Sequence, residues 1–278
     1  REYALAILRQ SCAILPNAMV GYSIGEYVAA TLAGVLSLEE ALTLVAKRAA
    51  MIAQLPAGAM LAVPLSEEAV QPLLNGQLSL SAVNGAAQCV VAGEIEAIDQ
   101  LQAQLIEQGL ACRRLKSSHA FHSHMMAAIV PEFKALVAEF ELQPPSIPYL
   151  SNLTGTWITP DQAVDPDYWV QHLCQPVRFA DQVQALWQQQ QPILLEIGAG
   201  QTLSSLALQC LDQVTTEKIA LASLRQAYEN QSDVEFILNT VAQLWLAGID
   251  IDWTAFSAQQ DRYRIPLPTY PFQRQHYW

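Results

Sequence analysis

An apolar triplet, Ala18-Met19-Val20, runs directly into Gly21-Tyr22-Ser23-Ile24-Gly25 and then into a helical pattern from Glu26 to Leu32. A strand that turns so sharply into a helix lays that helix against the face of its own sheet, so the chain is expected to be α/β. Gly-x-Ser-x-Gly in that setting has the spacing of a nucleophile elbow. Both glycines are expected to relieve crowding at the turn. The serine hydroxyl is then presented at the helix N-terminus, whose free N–H groups favour a developing oxyanion. A plain tight turn carries the same letters, and about one chain in ten of this length contains them by chance.

Helical spacing already runs through Ala4, Leu5, Ile7 and Leu8 with no cap ahead of it, so the chain is expected to begin inside a domain. Ser37 and Glu40 have capping-box spacing and open a helix through Ile52. Residues 57–117 read as strand, helix, strand, strand, helix, strand, the split βαβ order of a ferredoxin-like unit. The strands are expected at Ala59–Val63, Leu78–Val83, Cys89–Ala92 and Ala111–Leu115. Beyond them come a helix from His124 to Phe140, a strand at Tyr149–Asn152 and a helix at Tyr168–Leu173. A helix through Gln190, a strand at Ile193–Ile197 and a helix at Val234–Ala247 follow. The proline-rich stretch Ile265–Phe272 is expected to lie extended over a surface. The fold expected is an α/β-hydrolase-like large subdomain (1–56 and 118–250) with an inserted ferredoxin-like small subdomain (57–117) and a closing linker (251–278).

Composition narrows the function. Lys and Arg total 14 against 26 for Asp and Glu, a net charge of −12, which argues against a nucleic-acid face. No apolar run reaches the ~18 residues of a membrane span, and no signal peptide opens the chain. The five scattered cysteines (Cys12, Cys89, Cys112, Cys174 and Cys210) show neither metal spacing nor a disulfide framework. A reducing, cytoplasmic, metal-independent protein is expected.

A serine nucleophile needs a base. Three of the five histidines, His119, His122 and His124, crowd into Ser118-His119-Ala120-Phe121-His122-Ser123-His124, where a chain leaving the small unit would line a cleft. The residues alone do not choose among them. His172 and His276 stand apart. Arg48 lies on the helix after the elbow helix, and a guanidinium facing a cleft points to a bidentate carboxylate partner; a surface arginine lying over apolar neighbours is the plainer alternative. Arg113, Arg114 and Lys116 form the densest basic stretch, readable as an acidic-partner site or as a solvated strand edge.

Taken together these segments resemble the acyltransferase domain of modular type I polyketide synthases, a relative of malonyl-CoA:acyl carrier protein transacylase. The resemblance rests on Gly21 through Ala30, on Arg48, on Ala82-Val83-Asn84-Gly85 and on His119-Ala120-Phe121-His122. It continues through Gln175-Pro176-Val177-Arg178-Phe179, Glu196-Ile197-Gly198-Ala199-Gly200 and the closing Leu267 to Arg274, in family order along the whole chain. It implies Ser23 as the acylated nucleophile, His122 as general base, and the main-chain carbonyl of His172 as the group that orients the base. It further implies the Ile24 N–H as one oxyanion donor. Arg48, 25 residues beyond Ser23, would clamp the malonyl carboxylate. His119, Phe121 and Asn84 are implied to line the substrate site, and the His-Ala-Phe-His form is similar to malonyl-selecting domains, with Phe121 leaving no room for a 2-methyl branch. No bound cofactor is implied. The implied substrates are malonyl-CoA and the phosphopantetheine arm of an acyl carrier protein, with a ketosynthase as neighbour.

Two departures stand out. Tyr22 takes the place of the family's histidine before the nucleophile, and is expected to reduce activity by altering the polarity behind the serine. The family's Gly-Gln-Gly-Ser-Gln loop, with its second oxyanion donor, is expected upstream of Arg1. Two other readings remain on the same residues: an acyl hydrolase with a proofreading role, and a non-catalytic docking relic.

Overall fold

The structure is a computed structural model that describes residues 1–211, 218–258, 263, 265–275 and 278. In chain order the elements are α1 (Glu2–Gln10), β1 (Met19–Val20), α2 (Ile24–Leu32), α3 (Leu38–Ile52), β2 (Ala59–Val63), α4 (Glu67–Val70), β3 (Leu78–Gly85), β4 (Gln88–Gly93), α5 (Ile95–Glu107) and β5 (Arg113–Arg114). Then follow α6 (Val130–Val137), β6 (Tyr149–Leu150), α7 (Pro160–Val164), α8 (Pro166–Cys174), α9 (Phe179–Trp187), β7 (Ile193–Glu196), α10 (Thr202–Gln209), β8 (Ile219–Ala222), α11 (Asp233–Leu246) and α12 (Trp253–Ser257).

β1 pairs in parallel with β6, Met19 beside Tyr149 and Val20 beside Leu150, and β7 pairs in parallel with β8. Helices α2, α3, α6 and α8 bury Tyr27, Leu44, Phe133 and Trp169 against Tyr149 in one core. Burying each large ring stabilises the fold by roughly 2–3 kcal/mol. The Ser37–Glu40 capping box opens α3: the Ser37 N–H donates to the Glu40 carboxylate at 2.8 Å, and the Glu40 N–H donates back to Ser37 Oγ.

The four strands between residues 59 and 114 form an antiparallel sheet of order β3-β4-β2-β5, with α4 and α5 on one face. Alternation explains why β2 is apolar throughout. Ala59, Leu61 and Val63 pack under α5, while Met60 joins Ala82, Val90 and Ala92 against Ala120, Val177 and Phe179 of the large subdomain. The architecture is α/β, an α/β-hydrolase-like large subdomain with a ferredoxin-like small one.

The outer edge of β3 is not left open. The Val83 N–H donates to the Val177 carbonyl and the Val177 N–H to the Ser81 carbonyl, each at 2.9 Å, so the segment after α8 extends the small sheet. Arg178 follows at once, donating to Glu67 of α4 and to Asp181 of α9. This stitch fixes the short segment from Gln175 to Arg178 between the two subdomains.

Several expectations are corrected. The helix expected over His124–Phe140 is a 3-10 stretch, His124–Ile129, followed by α6, because Pro131 has no N–H to give the preceding turn. The last strand of the small sheet shrinks to Arg113–Arg114, whose partners are Leu61 and Ala62. The short elements α7, α10, β8 and α12 were not anticipated. The described residues of the stretch from Ile265 to Phe272 form no helix or strand, as its prolines require, yet Ile265, Leu267, Tyr270 and Phe272 stay exposed instead of covering a surface. His276 lies outside the described residues.

Candidate active site

β1 delivers the chain to Gly21, where a Cβ would fall 2.2 Å from the Glu26 nitrogen, so a side chain is excluded there. Gly25 is different: a Cβ would meet nothing within 4 Å, which corrects the expectation that both glycines relieve crowding. Gly21→Ala is therefore expected to lower the melting temperature sharply. Gly25→Ala, in the first turn of α2, is expected to leave it unchanged or raise it slightly, since Ala is favoured over Gly within a helix by ~0.5–1 kcal/mol. Comparable thermal melts for both variants would refute this.

Ser23 sits at the N-cap of α2 with φ 51° and ψ −113°, a left-handed backbone that non-glycine residues rarely hold. An ordinary serine cap would turn its hydroxyl onto the N–H groups of the first turn. Here it makes no such bond, and Ser23 Oγ lies 2.6 Å from His122 Nε2 instead. The first-turn N–H groups are otherwise spoken for. Ser23 N–H donates to Asn152 Oδ1, Gly25 N–H to the Tyr22 carbonyl and Glu26 N–H to the Ser23 carbonyl. The Ile24 N–H has no acceptor among the described residues, which leaves it free for an oxyanion.

His122 also has a positive φ, 55°, and is buried. Its loop is pinned from the small sheet, where Ser81 Oγ donates to the Phe121 carbonyl, and from within, where Ser123 Oγ donates to the Ala120 carbonyl. Nδ1 of His122 lies 3.0 Å from the main-chain oxygen of Gln175. A carbonyl only accepts, so Nδ1 carries the proton and Nε2 is left to accept from Ser23. The carbonyl expected in this place was that of His172. The bonded one is three residues further on, with the His172 carbonyl a second neighbour of the ring. The reason is the end of α8: Pro176 has no N–H to give the His172 carbonyl, and the chain then turns outward to join β3, which swings the Gln175 oxygen inward.

Burial, then the neighbouring His172 and Arg48 side chains, pull the His122 imidazole down to about 3, against the opposing pull of the two carbonyls. The imidazole is therefore neutral and able to accept a proton through the whole physiological range. kcat/KM reports the base of the free enzyme. It is expected to keep most of its value at about pH 5.5, where a histidine at its ordinary pKa near 6.5 would be about nine-tenths protonated. An acid limb centred near pH 6.5 would refute this.

Arg48 projects from α3 and is 6% exposed, with its guanidinium 5.8 Å from the centre of the Tyr27 ring. Its Nε and Nη2 are buried with no hydrogen-bond partner among the described residues. Two open donors on a buried guanidinium are able to receive a planar anion. The other histidines have separate duties. His119 contacts the Leu55 carbonyl at 3.3 Å and Ser118 Oγ at 2.9 Å, and His124 Nδ1 lies 2.8 Å from Ser79 Oγ, so neither competes for Ser23. Phe121 is partly buried between both subdomains, its ring 6.3 Å from that of His119. The Asn84 Oδ1 is buried and unpartnered. Tyr22 packs edge-on to Phe179, and burial raises its phenol, with Asn84 pulling the other way. Among the described residues no group of three or more His, Cys, Asp and Glu gathers as a metal site, and no helix is long and apolar enough to cross a membrane.

Residue-by-residue reading missed what lies beneath the elbow. Glu26 is wholly buried, its carboxylate accepting from the Tyr168 hydroxyl and from the Asn152 N–H at 2.8 Å and facing His172 Nε2 at 3.4 Å. A glutamate in the first turn of a helix ordinarily faces water; the apolar Ala29 and Ala30, one turn further along the same face, were the available sign that it is covered.

The acyl transferase domain family profile matches residues 2–251. The chain is similar to a phenolphthiocerol/phthiocerol polyketide synthase protein of Mycobacterium tuberculosis, 38% identical over 277 residues, which cover 100% of this chain and 18% of that protein. The chain thus spans less than a fifth of that relative's length. Among solved structures it is similar to the acyl transferase domain of ZmaA, 42% identical with a TM-score of 0.88 over 96% of this chain and 62% of that one. It is also similar to the malonyl CoA-acyl carrier protein transacylase of Burkholderia pseudomallei, 26% identical with a TM-score of 0.69 over 77% and 78%.

Proposed function

The chain belongs to the acyl transferase domain family, and from that premise we propose that it moves a malonyl group from malonyl-CoA, through an ester on Ser23, to the phosphopantetheine thiol of an acyl carrier protein. His122 Nε2 takes the hydroxyl proton as Ser23 Oγ attacks the thioester carbonyl. The oxyanion turns to the Ile24 N–H, and collapse expels the CoA thiolate, which leaves with the proton held by His122. In the second half His122 takes the proton of the carrier thiol, the sulfur attacks the ester, and Ser23 departs reprotonated. Neither half, as proposed, calls for a bound cofactor. A carrier domain and a ketosynthase are proposed as its working neighbours because the relatives are polyketide synthase proteins many times longer than this chain, and the cytoplasm is proposed as its setting because the five cysteines are free thiols.

The observation that carries the malonyl assignment is Arg48, whose buried open donors call for a substrate carboxylate. An editing hydrolase that clears plain acyl groups has no use for that clamp, and a docking relic has none for a strained serine set against a histidine. Incubation with malonyl-CoA or acetyl-CoA, followed by intact mass, tests the reading. A malonyl adduct on Ser23 that resists water and discharges onto a carrier thiol is expected. Preference for acetyl-CoA, rapid loss to water, or no adduct would overturn it.

Phe121 bears on the finer choice of extender unit. Its ring packs against the cores on both sides; as a wall of the acyl site it would meet a 2-methyl branch, and one methyl is worth about 1–3 kcal/mol, a factor of ~10–200. Phe121→Ser is expected to narrow the preference for malonyl-CoA over methylmalonyl-CoA by a factor in that range, measured as competing kcat/KM values. An unchanged ratio would remove Phe121 from the selection.

A further inference from the structure

We infer that Asn152 is a positioning residue that holds the nucleophile in its strained conformation and ties it to the segment that orients the base; the inference rests on Ser23 as the acylated group. The β1–β6 ladder stops at Val20 and Leu150. One residue later the chain must bend towards the positive φ of Ser23, and a regular backbone ladder cannot follow it round. The Asn152 carboxamide takes over. Its Oδ1 accepts from the Ser23 N–H at 2.7 Å and its Nδ2 donates to the Gly21 carbonyl, so the two arms grip the chain on either side of Tyr22.

The main chain of the same residue is equally committed. Its N–H donates to the buried Glu26 carboxylate at 2.8 Å, and its carbonyl accepts from the Arg178 N–H at 2.8 Å. Arg178 lies three residues beyond Gln175, whose carbonyl holds His122. Asn152 is thus the junction between the two halves of the dyad, and all four of its polar groups are used at 2% exposure. Only asparagine offers one acceptor and one donor at this reach. Aspartate would set a second oxygen against the Gly21 carbonyl, glutamine is one methylene too long, and leucine offers neither group. Because Asn152 consumes the Ser23 N–H, the Ile24 N–H is the one of these two neighbouring elbow amides left open to an oxyanion.

The test compares Asn152→Leu and Asn152→Asp with the parent chain by rapid-quench acylation with malonyl-CoA, by thermal melting, and by hydrogen exchange of the Ser23 amide. A misplaced reacting group costs on the order of 10²-fold in rate. Asn152→Leu is expected to lower kcat for acylation by about that factor per folded molecule with KM within threefold, while Ser23 amide exchange accelerates. Asn152→Asp is expected to fall between. A merely structural residue would lower the melting temperature and leave kcat per folded molecule alone, and that result overturns the inference. Should the leucine variant not fold, the aspartate variant is judged by the same criterion. A parent chain that takes up no acyl group would sink the Ser23 assignment instead; the exchange rates then decide alone, and Ser23 exchange unchanged by the substitutions overturns the hold by Asn152.

Discussion

Replacing His122 by glutamine is expected to slow acylation of Ser23 by about 10²–10⁴-fold, the usual worth of a positioned base, while Gln175→Ala changes it by no more than a few-fold. The contrast is the informative part. Where a carboxylate side chain orients the base, replacing that carboxylate by its amide costs as much as ~10⁴ in kcat. Here the orienting group is a main-chain oxygen at 3.0 Å, and the Gln175 side chain itself is exposed. Truncating it leaves the oxygen where Val177 and Arg178 hold it. Ser23→Ala is expected to abolish the adduct, and adding His122→Gln to it should cost nothing more, since the two act as a unit. Rapid-quench acylation with malonyl-CoA reads all four variants. A large loss in Gln175→Ala would mean that the side chain and not the backbone orients the base.

The second large effect belongs to Arg48. Removing a buried, hydrogen-bonded charge partner costs about 2–5 kcal/mol, so Arg48→Leu is expected to lower kcat/KM for malonyl-CoA by a factor on the order of 10²–10³ and to leave acetyl-CoA unharmed. Arg48→Lys is expected to recover little, because an ammonium cannot present the planar fork. Stability should move the other way. The Arg48 Nε and Nη2 are buried without a partner among the described residues, and each such group costs about 1–3 kcal/mol in the folded state. Arg48→Leu, which keeps an apolar stem, removes that cost and is expected to melt at a higher temperature than the parent in the absence of substrate. A folded Arg48→Leu protein that melts lower, or that loses malonyl and acetyl activity equally, contradicts the clamp.

What the sequence alone determined follows from local rules. Short, largely apolar runs bounded by turn residues marked the four strands between Ala59 and Leu115 in their order, and the Ser37–Glu40 spacing marked the start of α3. The Gly-x-Ser-x-Gly run placed Ser23, because the elbow is a local geometry with local letters. Locality is also where it stopped. IALA at Ile219–Ala222 is too short to tell strand from helix, so β8 went unseen beside β7. His119, His122 and His124 were equivalent by sequence, and only the fold set Nε2 of one of them 2.6 Å from Ser23.

The tertiary structure decided the rest for a physical reason. Asn152 meets Ser23 across 129 positions, and Tyr168 meets Glu26 across 142. A hydrogen bond leaves no mark in the identity of residues so far apart, because each would read just as well as a solvated turn or helix surface. The carbonyl that holds His122 has no letter at all: every residue carries one, and only the end of α8, Pro176 and the outer edge of β3 select that of Gln175 over that of His172.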